Sequence, residues 1–285
     1  MSRVTALGEQ IRTRLRAQSA ELTARTEGAR EGTDPEHVHQ MRVAVRRARA
    51  ALKAGLPLPD LDAELKWLGA SLGAVRDLDV QLDSLRAQAV GFSAEEREAV
   101  EQLLQGLVVR RWAARRTMRK ALRGRRYNRL LDALGAAAES TVVVEPDEEP
   151  PALVSVIRKP HRKLMAAAAA LGEDPPDDDL HALRIHGKRL RYAAEMAEPV
   201  ARKRIRALVA VTKEFQDILG DHQDAVIAED TIRGLLADFT ADVPVPVVFV
   251  AGRLVERERA RKAQCRATWH AALVDVDRCA GALLD

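Results

Sequence analysis

Aromatic residues are nearly missing. Phe, Trp and Tyr make up 3% of the 285 residues, so any core must be built from Leu, Val, Ile and Ala. That diet suits helices better than sheets, and it removes the stacking platforms that single-stranded nucleic acid needs. Cysteine is scarce too. Cys265 and Cys279 are the only pair; they fall in one expected helix, too far apart to bridge and without metal-ligand spacing. A reducing compartment follows. No apolar run reaches membrane-spanning length, and the most apolar one, Val243 to Ala251, is broken by Pro244 and Pro246. The N-terminus shows no apolar signal core. The expectation is a cytoplasmic protein with no membrane partner. There is also no glycine-rich phosphate loop, no paired-histidine metalloenzyme motif and no nucleophile elbow. Neither a cofactor, nor a metal, nor a catalytic set is therefore expected.

What is present is charge, unevenly placed. Charged residues make up 31% of the chain, and the net charge is only +4. Residues 1–145 hold 25 Lys and Arg against 19 Asp and Glu, while the remainder holds 21 against 23. The balance leans on arginine, the better side chain for bidentate contact with phosphate oxyanions.

One pattern is written twice. His39-x-x-Arg42-Val43-x-x-Arg46-Arg47-x-Arg49 returns 142 positions later as His181-x-x-Arg184-Ile185-x-x-Lys188-Arg189-x-Arg191. On a helix, positions 0, +3, +7 and +10 fall within an arc of roughly 80°. His39, Arg42, Arg46 and Arg49, continued by Lys53, form one cationic ribbon; His181, Arg184, Lys188 and Arg191 form the other. The pattern points to something long and strongly anionic held between two such ribbons.

The remaining elements follow from periodicity and punctuation. A first helix is expected over 4–30. A second, capped by Asp34 with Pro35 at its first position, carries the first ribbon. A third, capped by Asp60, runs about thirty residues, and a fourth opens at the capping box Ser93-x-x-Glu96. From Gln102 to Leu131 there is no acidic residue and there are ten cations. Residues 140–151 are acidic and proline-rich and read as a linker. The plan then restarts: a helix to about 171 containing Pro160, the second ribbon helix, and two long helices over about 201–237 and 248–282. Leu72-Gly73-x-x-x-Asp77 in the third helix matches Leu219-Gly220-x-x-x-Asp224 in its counterpart, and the paired glycines imply close helix contact. The fold class expected is all-α: two four-helix bundles, 1–139 and 152–285, related by an approximate two-fold through internal duplication.

These motifs carry a resemblance. Val38-His39-Gln40-Met41-Arg42-Val43, Leu72-Gly73-x-x-Arg76-Asp77-x-Asp79-Val80, and Leu180-His181-x-Leu183-Arg184-Ile185-x-x-Lys188-Arg189-Leu190-Arg191-Tyr192-x-x-Glu195 together resemble the CHAD family, the conserved histidine α-helical domain. The resemblance spans nearly the whole chain. It implies two pseudo-symmetric bundles that bind inorganic polyphosphate in a basic central groove or pore, with polyphosphate granules as an associated address. Family members are often fused to a triphosphate tunnel domain; none is legible here, so a stand-alone member is expected. Gln223 stands where the first half has Arg76, so the halves need not bind equally.

The site residues follow. His39, Arg42, Arg46, Arg49, Lys53, His181, Arg184, Lys188 and Arg191 are the primary candidates for polyphosphate contact. Arg47, Arg189, Arg12, Arg16, Arg158, Arg162, Arg111, Arg115, Arg119, Arg257 and Arg261 form a second tier, with Arg253 sharing the spacing of the last two. A charged stripe is ordinarily a solvated face. This one repeats position by position, adjoins the apolar stripe and is nearly free of acid partners apart from Glu195, so both carboxylates such as Asp77, Asp79 and Asp224 and an anionic ligand are expected to compensate it, with Asp77 and Asp224 orienting arginines. The two histidines have three readings: metal ligands, helix caps, or phosphate contacts that gain charge from the anion. The third is preferred. His222 with Asp221 and Asp224 forms a metal-like cluster of unspecific spacing. Rival functions are nucleic-acid binding, disfavoured by the missing aromatics, a metal-dependent phosphatase or triphosphatase using His39 and His181, and a structural granule-coat role. Nothing in the pattern specifies an oligomer.

Overall fold

Helix starts and stops follow local chemistry. The computed structural model describes residues 3–53, 58–139, 155–197, 202–239 and 242–284. Every element among them is an α-helix: α1 (Arg3–Glu31), α2 (Pro35–Lys53), α3 (Pro59–Gln88), α4 (Ala94–Arg123), α5 (Arg125–Glu139), α6 (Ser155–Ala169), α7 (Asp177–Ala197), α8 (Arg202–Ala237) and α9 (Val245–Leu284). Helix α1 ends at Gly32, whose φ of 75° is the left-handed turn that glycine accepts without cost. Asp34 then takes the Glu36 backbone N–H at 2.8 Å and Pro35 opens α2. The capping box of α4 is complete: the Glu96 N–H donates to Ser93 Oγ at 3.2 Å, and the Ser93 N–H to Glu96 at 2.8 Å.

Two sequence expectations change. Asp60 does not cap α3; the helix begins one residue earlier at Pro59, and Asp60 lies in its first turn, where a carboxylate favours the helix dipole. The first half holds five helices among the described residues, not four. Hydrogen bonding breaks at Gly124, which takes an extended ψ of 153°, glycine being a weak helix former. The restart as α5 buries Tyr127, whose hydroxyl meets Thr26 Oγ1 on α1 at 2.6 Å. The expected linker 140–151 lies outside the described residues.

The chain divides into two compact units, Met1–Pro146 and Asp147–Asp285. In the first, α1, α2, α3 and α4 pack in succession and α5 returns onto α1. Leu15, Leu22, Met41, Leu65, Leu68, Leu72 and Met118 fill its core. In the second, α6, α7, α8 and α9 pack in succession and α9 also meets α6, around Ile157, Leu183, Leu190, Phe215 and Trp269. In each unit the ribbon helix is the second element, its apolar side buried and its cationic side at the edge.

One glycine decides how tightly α7 and α8 approach. A Cβ at Gly187 would stand 2.8 Å from the ring of fully buried Phe215. Gly187→Ala is expected to destabilise the protein by about 1–2 kcal/mol, the overpacking outweighing alanine's better helix propensity. Thermal unfolding checks this; an unchanged or raised melting temperature would contradict it.

Candidate anion-binding site

On α2 the ribbon faces α3. Arg42 donates to Asp77 at 2.7 Å and to the Gly73 carbonyl at 3.2 Å. A Cβ at Gly73 would meet its guanidinium at 3.3 Å. The close helix contact expected at this glycine is made by an arginine side chain of α2 laid over α3. Arg49 binds Asp62 through two bonds of 2.7 and 3.1 Å, and this pairing raises its pKa. Arg46 and Arg47 are exposed, with no ion pair to another described residue. His39 is half-buried and has no hydrogen bond among the described residues. The side chain of Lys53 lies outside the described residues.

On α7 the same geometry recurs with fewer partners. Arg184 lies over Gly220, where a Cβ would stand 3.5 Å from its Nε. That Nε is buried and has no acceptor among the described residues, and the buried Nδ1 of His181 has no hydrogen-bond partner among them. Lys188 and Arg191 gather around Tyr192, at 5.8 and 5.4 Å from its ring centroid. Arg191 also faces Glu195 at 3.5 Å. Arg189 is exposed. Asp77 orients Arg42, as expected; Asp224 makes no hydrogen bond among the described residues and acts on Arg184 only through its charge. Both histidines sit a full turn inside their helices, beyond any capping position, which removes the cap reading.

The second-tier residues divide by what they hold. Arg111 pairs with buried Asp79. Arg115 and Arg119 donate to the Gly32 and Glu31 carbonyls at 2.8 Å, closing the C-terminus of α1. Burial, then the charges of Arg111 and Arg119, lower the pKa of Arg115, so these cations crowd one another. Arg12 pairs with Glu9, Arg16 with Glu139 at 2.8 Å, Arg261 with Asp221 at 2.6 Å, and Arg158 with the Leu284 carbonyl at 3.1 Å. Arg162 and Arg257 are exposed. Around α4 the remaining cations of the tract, among them Arg116, Lys120 and Arg123, face water.

The His222 cluster dissolves. His222 is buried and turns its Nε2 toward Asp177, 3.3 Å away, while Asp221 faces Arg261. Burial lowers its pKa more than Asp177 raises it. Among the described residues no group of three His, Cys, Asp or Glu side chains could hold a metal ion. Sequence reasoning also missed the buried Glu229, which gathers Lys262 at 2.8 Å together with Arg233 and Arg259. Its carboxylate is one helical turn from no recognised motif, and its three partners come from two helices. Tyr192 was missed as well, although it follows Arg191 directly in the second ribbon.

Comparison with known families matches the CHAD domain over residues 13–233. Two proteins of Mycobacterium tuberculosis, the uncharacterized proteins Rv2226 and MT2285, are each 32% identical to this chain over 262 residues. The match takes in 85% of this chain and 48% of theirs, so the chain spans about half the length of these curated relatives. Among solved structures, the CHAD domain from the plant Ricinus communis superposes with a TM-score of 0.68 at 29% identity, covering 95% of this chain and 91% of that one. PptA from Streptomyces chartreusis shares the fold, with a TM-score of 0.65 at 21% identity over 93% of this chain and 98% of that one.

Proposed function

Since the chain belongs to the CHAD domain family, we propose that it binds inorganic polyphosphate through the cationic ribbons of α2 and α7, and that it does so as a binding protein, not as a catalyst. One observation carries the reading: each ribbon lays an arginine, Arg42 or Arg184, across a glycine of the next helix, Gly73 or Gly220. The cation is thereby held at the helix edge, where the neighbouring apolar stripe is buried. Arg46, Lys188 and Arg189 extend each face with exposed charge. Such an array suits a polymer bearing about one negative charge per phosphate, whose binding releases counterions. A chain long enough to engage both units gains further through effective concentration. Association with polyphosphate granules is the cellular use proposed for this affinity. No described helix is long and apolar enough to cross a membrane.

Titration with phosphate polymers of defined length at two salt concentrations tests this. Affinity is expected to rise with chain length and to fall on the order of a hundredfold between 50 and 200 mM salt. No binding at low salt overturns the proposal. Easy displacement by DNA or RNA favours the nucleic-acid reading, and metal-stimulated phosphate release favours an enzyme.

A further inference from the structure

The two ribbons match in sequence but not in how their charge is spent. On α2, two of the arginines already have carboxylates: Asp77 holds Arg42 at 2.7 Å, and Asp62 holds Arg49 at 2.7 and 3.1 Å. On α7, the matching Arg184 has a buried Nε with no acceptor among the described residues, and Arg191 forms only a long ion pair, its Nε 3.5 Å from Glu195 and short of a hydrogen bond. Asp224 occupies the place of Asp77 yet makes no hydrogen bond to Arg184. Desolvation pushes its carboxyl upward in pKa, against the pull of Arg261 and Arg184. His181 adds a buried ring nitrogen without a partner among the described residues. Donors withdrawn from water and left without acceptors are unfavourable until an acceptor arrives.

A second difference lies at the end of the ribbon. Tyr192 gathers Lys188 and Arg191 at 5.8 and 5.4 Å from its ring centroid. The position equivalent to Tyr192 in the first ribbon is Ala50, which can gather nothing. Restricting two flexible cations beforehand lowers the entropy lost when an anion binds them.

We propose that the second unit alone carries a short-anion subsite, formed by His181, Arg184, Lys188, Arg191 and Tyr192, that takes a few consecutive phosphates of a condensed-phosphate chain. The first ribbon, with Arg42 and Arg49 held by their own carboxylates, contributes only when the polymer is long enough to reach it. The inference rests on the polyphosphate reading and assigns unequal work within it. It also gives Tyr192 a role in positioning the cations.

The test uses the full chain with tripolyphosphate and with long-chain polyphosphate, by calorimetric titration of wild type, Arg184→Ala, Arg42→Ala and Tyr192→Ala. Tripolyphosphate binding is expected to weaken roughly tenfold or more in Arg184→Ala, to weaken about threefold in Tyr192→Ala, and to hold within about twofold in Arg42→Ala. Long-chain binding weakens in both arginine variants. Without ligand, Arg184→Ala should melt no lower than wild type, since it removes a buried donor that has no acceptor among the described residues; tripolyphosphate should raise the melting temperature of wild type by more than that of this variant. Arg184→Lys retains the charge and guards against a folding defect in the alanine variant. Equal losses of tripolyphosphate affinity in Arg42→Ala and Arg184→Ala would overturn the asymmetry. So would wild-type binding of long chains without any binding of tripolyphosphate. If wild type binds neither, the polyphosphate reading fails and this inference fails with it.

Discussion

Replacing Arg42 and Arg184 together by alanine is expected to lower affinity for long-chain polyphosphate by roughly a hundredfold or more, because each removes a charge-assisted contact of about 1.5–3 kcal/mol. The fold should survive. The Arg42–Asp77 pair is solvent-accessible, and such pairs contribute little to stability, while Arg184 has no hydrogen-bonded carboxylate among the described residues. Neither side chain belongs to a hydrophobic core. A proper control removes the same charge elsewhere. Arg278 is exposed and, among the described residues, pairs locally with Asp275 at 2.7 Å, so Arg278→Ala should change affinity by no more than about twofold. If the double variant binds as wild type while remaining folded, the ribbons are solvated faces and nothing more.

The largest effect on stability should come from Glu229. This carboxylate is nearly buried, and its pKa is lowered from an ordinary 4.5 to about 2, first by the hydrogen bond with Lys262 and then by those with Arg233 and Arg259. The folded state therefore prefers the charged form. A carboxylate with a depressed folded pKa stabilises the fold above its unfolded pKa and loses that stabilisation as pH falls through the folded one. The window here is from about pH 4.5 down to about pH 2. The full shift corresponds to about 3 kcal/mol; Arg233 and Arg259 stand half in water, and screening leaves about 2 kcal/mol. Glu229→Gln should therefore lower the melting temperature at pH 7 by about 5–10 °C. The difference from wild type should shrink steadily below pH 4.5. A gap that stays constant down to pH 2.5 would show that the substitution acts through packing and not through charge.

Much of the architecture was legible in the chain. Proline, aspartate and serine mark the starts of α2 and α4, and Gly32 marks the end of α1, because capping is settled within a few residues of backbone. The apolar stripe Val38, Met41, Val45, Ala48 and Leu52 is buried throughout, since a 3.6-residue period admits one inward face. The break at Gly124 was not legible. Charge and period continue through it, and the restarted helix is held by a tertiary contact, Tyr127 to Thr26 on α1, 101 positions away in sequence.

The candidate site divides along the same line. Sequence alone determined which cations form a ribbon, because a helix turns every residue by a constant angle and the pattern needs no neighbour to define it. It also determined that the pattern occurs twice. Tertiary structure decided which of those cations are already neutralised. Asp62 reaches Arg49, Asp77 reaches Arg42 and Asp79 reaches Arg111 across helix–helix contacts, and whether a carboxylate meets a guanidinium depends on side-chain reach between elements. For the same reason only the fold could separate Asp77 from Asp224, two residues at matching positions, one bonded to its arginine and the other not. Hydrogen bonds are short and directional, so identical spacing in sequence does not guarantee identical contact in space.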